Sequence, residues 1–203
     1  MTTTRRGILI AIEGIDGSGK STLAREIARR VEAGGVAVLL TREPTDGPLG
    51  RRIRELARSG RQGVTAEEET ALFIEDRRDH VRDELLPALE AGKAVILDRY
   101  FYSTMAYQGA RGINVNDILR RNREFAPEPD LLVLLKLDVD EALERITRSR
   151  GDRPDHFEQA AYLKSVALIF DHVDHPKLLA LDARLGTEML ADRVMEEFWR
   201  ALS

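Results

Sequence analysis

A glycine-rich stretch near the N-terminus constrains this chain more than any other part of its sequence. Residues 14–21 read Gly-Ile-Asp-Gly-Ser-Gly-Lys-Ser and fit the phosphate-loop pattern G-x-x-x-x-G-K-[ST]. Its glycines permit the backbone angles and the close approach by which N–H groups surround phosphate oxygens. The pattern therefore predicts a site for a nucleoside triphosphate.

The segments on both sides of the loop fit the same interpretation. Residues 7–13 form a short apolar run typical of a strand, and residues 21–32 carry apolar side chains at helical spacing. In this setting Lys20 can reach the β- and γ-phosphates, and Ser21 can hold Mg²⁺. The donor nucleotide is predicted to contact Gly14, Ile15, Asp16, Gly17, Ser18, Gly19, Lys20, Ser21 and Thr22. A glycine-rich turn that matches by accident is the alternative.

Strand-like and helix-like segments alternate along the rest of the chain. Apolar runs predict strands at residues 36–40, 94–97, 131–137 and 178–181, the first of them as a buried strand. Helices are predicted at residues 49–58, 66–86, 114–124, 140–149, 157–173 and 187–202. Thr65 and Glu68 are expected to cap the helix from 66, and Pro87 to end or bend it. This alternation indicates an α/β fold with a five-stranded parallel sheet between layers of helices, and 203 residues fit a single domain.

Composition excludes several classes of protein. A formal net charge of −4 argues against a general nucleic-acid binder, because phosphate-backbone binding normally requires a basic excess. The sequence has no cysteine for disulfides or thiolate chemistry, and its four histidines lack zinc-like spacing. The first apolar run is too short for a signal peptide or a membrane span. These features predict a soluble, cytoplasmic protein with no membrane or nucleic-acid partner.

A phosphate loop alone leaves switches, motors, transporters and kinases open. The guanine-reading run Asn-Lys-x-Asp of GTPase switches does not occur in this sequence, and motor or transporter ATPases are usually longer. A kinase that acts on a small molecule is therefore the leading functional class.

Five short motifs, taken in order, resemble the thymidylate kinase family. They are Ile-Glu-Gly-Ile-Asp at residues 12–16, Thr-Arg-Glu-Pro at 41–44, Phe73 with Asp-Arg at 76–77, Asp-Arg-Tyr at 98–100, and Ala-Tyr-Gln-Gly at 106–109. The resemblance implies a P-loop kinase that transfers the γ-phosphoryl group of ATP–Mg²⁺ to dTMP, giving dTDP and ADP. It also implies a homodimer, and we expect the helix at 66–86 to be buried in it.

The resemblance implies roles for residues near the phosphates. Asp98 holds Mg²⁺ together with Ser21. Arg99 grips the acceptor phosphate and the transferring group, and Arg42 also grips the acceptor phosphate. Asp16 lies near the sugar 3′-hydroxyl and the metal. With the phosphate-loop lysine, the expected catalytic residues are Asp16, Lys20, Arg99 and a lid arginine. The alternatives are a helix-capping Asp-Arg pair at 98–99 and an ordinary surface arginine at 42.

A second group of residues is implied to bind the acceptor nucleoside. Phe73 and Arg77 lie four positions apart on a predicted helix and so share a face. In the family such residues stack on thymine and donate to a base carbonyl. By the same resemblance Thr104 meets the base edge, and Tyr107 lies under the deoxyribose, where it leaves no room for a 2′-hydroxyl. Gln108 contacts the substrate or orders its loop, and an ordinary core position is the alternative for Phe73.

Residues 148–158 resemble the mobile lid that closes over ATP in this family, although a solvated charged loop is the alternative. Among its arginines, Arg150 is favoured as the one that reaches the γ-phosphate, because Gly151 beside it lets the backbone turn. The other candidates are Arg148 and Arg153. Two positions depart from the family pattern. Residues 45–47 are Thr-Asp-Gly where the family often has Gly-Gly-Thr, and His156 stands where an arginine is usual.

Other functions stay open at this point. The runner-up enzyme is a kinase for another deoxynucleotide, or for a deoxynucleoside whose hydroxyl would need a base such as Glu43. The alternative outside catalysis is a nucleotide-binding regulatory module that no longer turns over.

Overall fold

Five parallel strands form one sheet in the computed structural model, which describes residues 6–61, 63–150 and 156–202. In chain order they are β1 (Ile8–Gly14), β2 (Val38–Arg42), β3 (Ala94–Asp98), β4 (Leu131–Lys136) and β5 (Leu178–Asp182). Their spatial order is β2-β3-β1-β4-β5, and every neighbouring pair is parallel. The prediction of a five-stranded parallel sheet is confirmed, with β1 at its centre.

The strands differ in burial according to their place in the sheet. All seven residues of β1 are buried, as expected for an apolar central strand covered on both faces. The prediction of a buried strand at residues 36–40 is wrong, because β2 is an edge strand whose residues are half-buried or exposed. Leu40, for example, is 42% exposed.

Helices cover both faces of the sheet, and the alternation of side chains along β1 decides which helices meet which residues. Ile8, Ile10 and Ile12 pack with the first and last helices, whereas Leu9 and Ala11 pack with helices from the middle of the chain. The helices are α1 (Lys20–Ala33), α2 (Pro48–Ser59), α3 (Ala66–His80), α4 (Leu86–Glu90), α5 (Phe101–Gly109), α6 (Val115–Arg123), α7 (Val139–Arg150), α8 (His156–Asp171) and α9 (Thr187–Leu202). The three-layer α/β/α prediction is confirmed.

The predicted helix at 66–86 is longer and less regular than expected. Thr65 and Glu68 form the predicted capping box at its start. After α3 the chain passes through a π-helical turn, Val81–Leu85, and continues as α4. Pro87 lies in the first turn of α4 and does not end the helix there, because the first turn of a helix tolerates a residue without an N–H group.

Helix α5 has no counterpart among the predicted helices. Most of its residues are buried, so its sequence lacks the apolar and polar faces of a surface helix. Its start also lacks a local signal, because the side chain of Tyr100 at the N-cap makes no capping bond. The carboxylate of Glu13, 87 residues earlier in the chain, accepts from the Tyr100 N–H instead.

Among the helices within the described ranges, none is both long enough and apolar enough to cross a lipid bilayer.

Candidate active site

The phosphate loop connects β1 to α1 at the carboxyl edge of the sheet. Gly14, Gly17 and Gly19 all have positive φ, at 140°, 83° and 93°. At the first two positions there is also no room for a side chain. A Cβ on Gly14 would lie 2.5 Å from the Leu135 carbonyl oxygen, and one on Gly17 would lie 2.6 Å from that of Ala142. The spacing of these glycines is therefore required by the fold as well as by a phosphate ligand.

Lys20 lies along the inside of the loop. Its Nζ donates to the Ile15 carbonyl oxygen at 2.8 Å, and the side chain is buried. Burial, with a smaller contribution from Arg99, lowers the pKa of Lys20 to about 7. Anionic phosphates entering the loop would favour the charged form and compete with the carbonyl for the ammonium.

Ser21 and Asp98, the two residues expected to hold Mg²⁺, meet at the mouth of the loop. The Ser21 hydroxyl donates to Asp98 Oδ2. The other oxygen, Oδ1, is buried and has no hydrogen-bond partner among the residues that the structure describes. A hydroxyl beside a carboxylate oxygen with spare capacity fits a hydrated Mg²⁺ ion, which keeps several waters and takes few protein ligands. In the described part of the chain, no cluster of three or more acidic, histidine or cysteine side chains could hold a metal without a nucleotide.

Arg99, Asp16 and Tyr107 form a compact group beside the loop. Arg99 Nη2 donates to Asp16 Oδ1 at 2.5 Å, and the guanidinium lies 5.0 Å from the centre of the Tyr107 ring. The Tyr107 hydroxyl accepts from the Asp16 N–H at 2.9 Å. The structure thus brings together three predicted site residues from the phosphate loop, the residue after β3 and α5.

A cavity of about 200 Å³ opens between α2, α3 and α5, and it collects the residues that were predicted to bind the acceptor. Six of them line it, and Arg42 does not: Phe73, Arg77, Arg99, Thr104, Tyr107 and Gln108. Residues that were not predicted also line it, among them Arg54 of α2 and Tyr162 of α8. Phe73 is half-buried, with part of its side chain accessible. We call this space the acceptor cavity.

Arg77 is fixed at the floor of the acceptor cavity by a buried network. Its Nε donates to Glu43 Oε2 at 2.7 Å, and its Nη1 donates to Asn122 Oδ1 at 2.6 Å. Its Nη2 donates to Thr104 Oγ1 at 2.9 Å. Both partners of the Arg77–Glu43 ion pair are almost fully buried, and His80 Nδ1 lies 3.1 Å from the second oxygen of Glu43.

The phosphate loop opens onto a separate cleft of about 690 Å³, here called the phosphate cleft. Lys20, Ser21, Asp98 and Arg42 line it, together with Arg145 of α7. Four charged residues line both this cleft and the acceptor cavity: Asp16, Glu43, Arg54 and Arg99. The two spaces are therefore neighbours that share charged residues at their junction.

The loop after β2 departs from the family pattern, and the structure shows how its Thr45 is held. Asp76 of α3 accepts from the Thr45 N–H at 2.8 Å and from its hydroxyl at 2.6 Å. Arg54 donates to the Thr45 carbonyl oxygen at 2.6 Å. Arg42, predicted to grip the acceptor phosphate, is largely exposed and pairs with Asp46 at 3.0 Å. Arg42 lines the phosphate cleft, whereas it is Arg54 that lines the acceptor cavity.

The lid prediction falls mostly outside the described residues. Residues 151–155, which include Arg153, lie outside them, and so does the side chain of Arg150 at the end of α7. Arg148 is exposed on the same helix. Arg145, one turn earlier, was not predicted. Its Nη1 donates to the Ala183 carbonyl oxygen at 3.1 Å beside the phosphate cleft.

Sequence reasoning missed the residues that hold others in place. Glu43 was considered only as a base and Asn122 not at all, although both fix Arg77. Arg54 shares a helical face with Gly50, but only the structure shows that this face turns toward the loop after β2. No local pattern indicates the role of Asn122, whose partner is 45 residues away.

Comparisons with known proteins agree with this geometry. A sequence model described as "Thymidylate kinase" matches residues 12–194 of the chain. A thymidylate kinase of Xanthomonas euvesicatoria pv. vesicatoria (strain 85-10) is 50% identical over 177 residues, which cover 87% of this chain and 76% of the relative. A thymidylate kinase of Desulfotalea psychrophila (strain LSv54 / DSM 12343) is 46% identical over 177 residues, which cover 87% of each protein.

Proposed function

The chain belongs to the thymidylate kinase family, and from this premise we propose that it transfers the γ-phosphoryl group of ATP to dTMP, giving dTDP and ADP. The observation that carries the proposal is the junction of the phosphate cleft and the acceptor cavity. Arg99 lines both spaces, so that a donor and an acceptor phosphate bound there would meet at one guanidinium. We propose that both spaces belong to one domain that spans the chain.

On the donor side, the N–H groups of residues 14–22 and the dipole of α1 would hold the β- and γ-phosphates of ATP. Lys20 would exchange the Ile15 carbonyl for phosphate oxygens and neutralise charge on the transferring group. Ser21 and Asp98 would hold Mg²⁺, which supplies charge neutralisation across the β- and γ-phosphates when it is bound. Asp16 would keep Arg99 directed at the junction through their ion pair.

On the acceptor side, the reaction needs no strong general base, because the phosphate of dTMP is already anionic. Arg99 would bind that phosphate and follow the transferring group, a two-oxygen task for which a guanidinium is suited. We propose Arg54 as a second phosphate ligand, because it lines both spaces. Arg42 would contribute from the side of the phosphate cleft.

The base would be read by side chains on two helices. Phe73 would stack on thymine, and the second N–H of Arg77 Nη1 would donate to the carbonyl at thymine position 4. Thr104 would meet the base edge while it holds Arg77 Nη2. Tyr107 would fill the space of a ribose 2′-hydroxyl, and Gln108 would close the wall of the acceptor cavity.

The alternative of a nucleoside kinase lacks its candidate general base in this arrangement. Glu43 was the candidate to activate a hydroxyl, but its side chain is buried and paired with Arg77 at 2.6 Å. This pairing supports a structural role for Glu43. Without this base, the acceptor group is better explained as a phosphate than as a hydroxyl.

Two further parts of the proposal concern the lid and the assembly. Arg150 would reach the γ-phosphate from the lid, so Arg150→Ala should lower kcat more than Arg148→Ala while the KM for dTMP stays unchanged. A homodimer would bury α3, on which Ala71 and Leu72 are only half-buried in the single chain. Light scattering at micromolar concentration tests the dimer, and a monomer there would contradict it.

An ADP-release assay with ATP–Mg²⁺ and a panel of acceptors tests the proposed function. The panel is dTMP, dUMP, dCMP, dGMP and thymidine, with a reaction lacking an acceptor as the blank. We expect dTMP to have the highest kcat/KM and thymidine to be inactive. Preference for another nucleotide would contradict dTMP as the acceptor, and no turnover with any acceptor would favour a regulatory module.

A further inference from the structure

Glu13 is a buried carboxylate that none of the proposed substrate contacts uses. It lies near the end of β1, immediately before the phosphate loop, and is 1% exposed. Unlike Arg77, it lines neither the acceptor cavity nor the phosphate cleft, so it touches neither nucleotide in the proposed arrangement. A buried carboxylate is costly unless its oxygens are satisfied, so its partners indicate what it does.

Both oxygens of Glu13 are engaged at the start of α5. Oε1 accepts from the Tyr100 N–H at 2.8 Å and from the Ser103 N–H at 3.0 Å. Oε2 accepts from the Ser103 hydroxyl at 2.5 Å. Glu13, which belongs to β1, therefore caps the start of α5. The side chain of Tyr100, the N-cap residue of that helix, makes no capping bond.

Arg99, directly before Tyr100, has a backbone conformation that non-glycine residues rarely adopt. Its φ is 70°, and its N–H donates to the Ile12 carbonyl oxygen at 3.0 Å. Its Nη1 donates to the Ser103 hydroxyl oxygen at 2.9 Å. A chain of hydrogen bonds thus runs from Arg99 through Ser103 to Glu13.

We propose that Glu13 is a positioning residue for Arg99, acting through the hydroxyl of Ser103 and through the backbone at the start of α5. Because the carboxylate only accepts, the Ser103 hydrogen points at Glu13 and a lone pair of the same oxygen faces Arg99. The guanidinium, held by Ser103 on Nη1 and by Asp16 on Nη2, is then aimed at the junction of the two cavities. The inference rests on the proposed role of Arg99 at the acceptor phosphate.

Glu13→Gln separates this role from simple helix capping. The amide oxygen of glutamine can still accept from the two backbone N–H groups, so the cap is preserved. The amide nitrogen, however, would donate to the Ser103 oxygen and compete there with Arg99 Nη1. The substitution therefore disturbs the hydrogen bonds that link the side chains of Arg99, Ser103 and Glu13, while it leaves the start of α5 in place.

The first experiment measures kcat, the KM for each nucleotide and the melting temperature of Glu13→Gln, Ser103→Ala and the double variant. We expect each single change to lower kcat/KM for dTMP on the order of tenfold, since small misplacements of a catalytic group cost that much or more. The KM for ATP should stay within twofold. The kcat/KM of the double variant should be no lower than that of the less active single variant, because both changes break the same chain of hydrogen bonds. Independent, multiplying losses would overturn the proposal.

A matched control removes a helix cap elsewhere. Asn114 caps α6 with its side-chain oxygen, and Asn114→Ala should lower the melting temperature without changing kcat/KM for dTMP. If Asn114→Ala and Glu13→Gln both lose activity in the same proportion to their loss of stability, Glu13 has only a structural role.

A pH series supplies a readout that a structural role would not move. Burial raises the pKa of Glu13 to about 7, against the opposing effects of Ser103 and Arg99. Arg99 and Lys20 are the charged groups that interact with it. Below pH 7 the protonated carboxyl can donate to Ser103, as glutamine does. The ratio of wild-type to Glu13→Gln kcat/KM should therefore fall between pH 8 and pH 6, and ionisation of the substrate cancels in it. The ratio of Ser103→Ala to the double variant should stay constant, which separates this route from an effect of Glu13 on Lys20. A constant ratio of wild type to Glu13→Gln would contradict the proposal.

Failure of this inference is distinguishable from failure of the proposed function. Wild-type protein that phosphorylates dTMP, together with Glu13 and Ser103 variants within twofold of it, would overturn the positioning role alone. Wild-type protein that does not phosphorylate dTMP would overturn the function, and the positioning role that rests on it would fall as well.

Discussion

The donor side and the acceptor side of the candidate site are built in different ways. The centre of the donor side is one contiguous segment, residues 14–22, in which glycine conformations and backbone groups shape the binding surface, and other elements add single side chains such as Asp98 to it. The acceptor side is assembled from buried side chains that are far apart in the sequence. Arg77 is 34, 27 and 45 residues from Glu43, Thr104 and Asn122, the three side chains that hold it.

This difference implies that the two sides should fail in different ways. Removing a side chain from a backbone cradle takes away charge but leaves the fold and the other cavity intact. Removing a member of a buried ionic network leaves its partners unsatisfied, so that stability and specificity are lost together. Substitutions on the two sides therefore test whether the contrast holds.

Lys20→Ala should have the largest effect on catalysis. Its Nζ donates to the Ile15 carbonyl oxygen, a group of the loop itself that water can reach once the side chain is gone, so the loop can persist without it. Turnover should fall by about 10³-fold or more, since the charge on the transferring phosphoryl group loses its neutralising partner. Steady-state kinetics with dTMP and thermal unfolding check this. Activity within tenfold of wild type would contradict the donor-site assignment.

Glu43→Gln should have the largest effect on stability. It leaves the buried Arg77 guanidinium without a counter-charge, and breaking a buried pair in this way costs about 3–5 kcal/mol. Urea unfolding measures the loss. The control is Asp46→Asn three residues later. It weakens the pairs of this exposed carboxylate with Arg42 and Arg54 and should leave the unfolding midpoint nearly unchanged. Equal midpoints for the two variants would show that burial does not distinguish these pairs.

Arg77→Ala should reduce discrimination between bases. A guanidinium only donates, which suits the carbonyl at thymine position 4 and opposes the amino group of cytosine. The kcat/KM ratio of dTMP to dCMP should fall about tenfold, mainly through loss of dTMP turnover. Because the ratio compares two substrates on one variant, the fraction of folded protein cancels. An unchanged ratio would mean that Arg77 supports the cavity but does not read the base.

Tyr107→Ala should change the choice of sugar and leave the choice of base. Its ring lines the acceptor cavity, and its hydroxyl accepts from the Asp16 N–H. We expect the variant to phosphorylate the ribonucleotide of thymine, with an unchanged dTMP to dCMP ratio. Tyr107→Phe is the matched control, since it keeps the ring and loses only the hydroxyl, and it should still reject the ribonucleotide. Rejection by both variants would assign sugar selection to another residue.

The two sides also differ in how far the sequence predicts them. The phosphate loop, its strand and its helix could be predicted from one motif, because the glycine spacing states a local backbone requirement. The strands followed from their apolar runs, although nothing local distinguished β2 as an edge strand. Pairing with β3 on one side only is a property of the sheet order.

The acceptor side could be predicted only by resemblance to a family. Phe73 by itself is an ordinary apolar helix residue, and Arg77 is an ordinary charged one. What gives them a role is contact with residues from other elements, such as Asn122 of α6. Helix α5 escaped prediction for the same physical reason, because the carboxylate that caps it belongs to β1.

Calorimetric titration of dTMP into wild-type protein and into the Lys20→Ala variant tests the central claim most directly. If the acceptor cavity binds dTMP without help from the Lys20 side chain, both proteins should bind dTMP with Kd values within threefold, because Lys20 does not line that cavity. Weakening of tenfold or more in the variant alone would show that the two sides are one coupled site. Absence of dTMP binding to the wild-type protein would contradict the acceptor assignment itself.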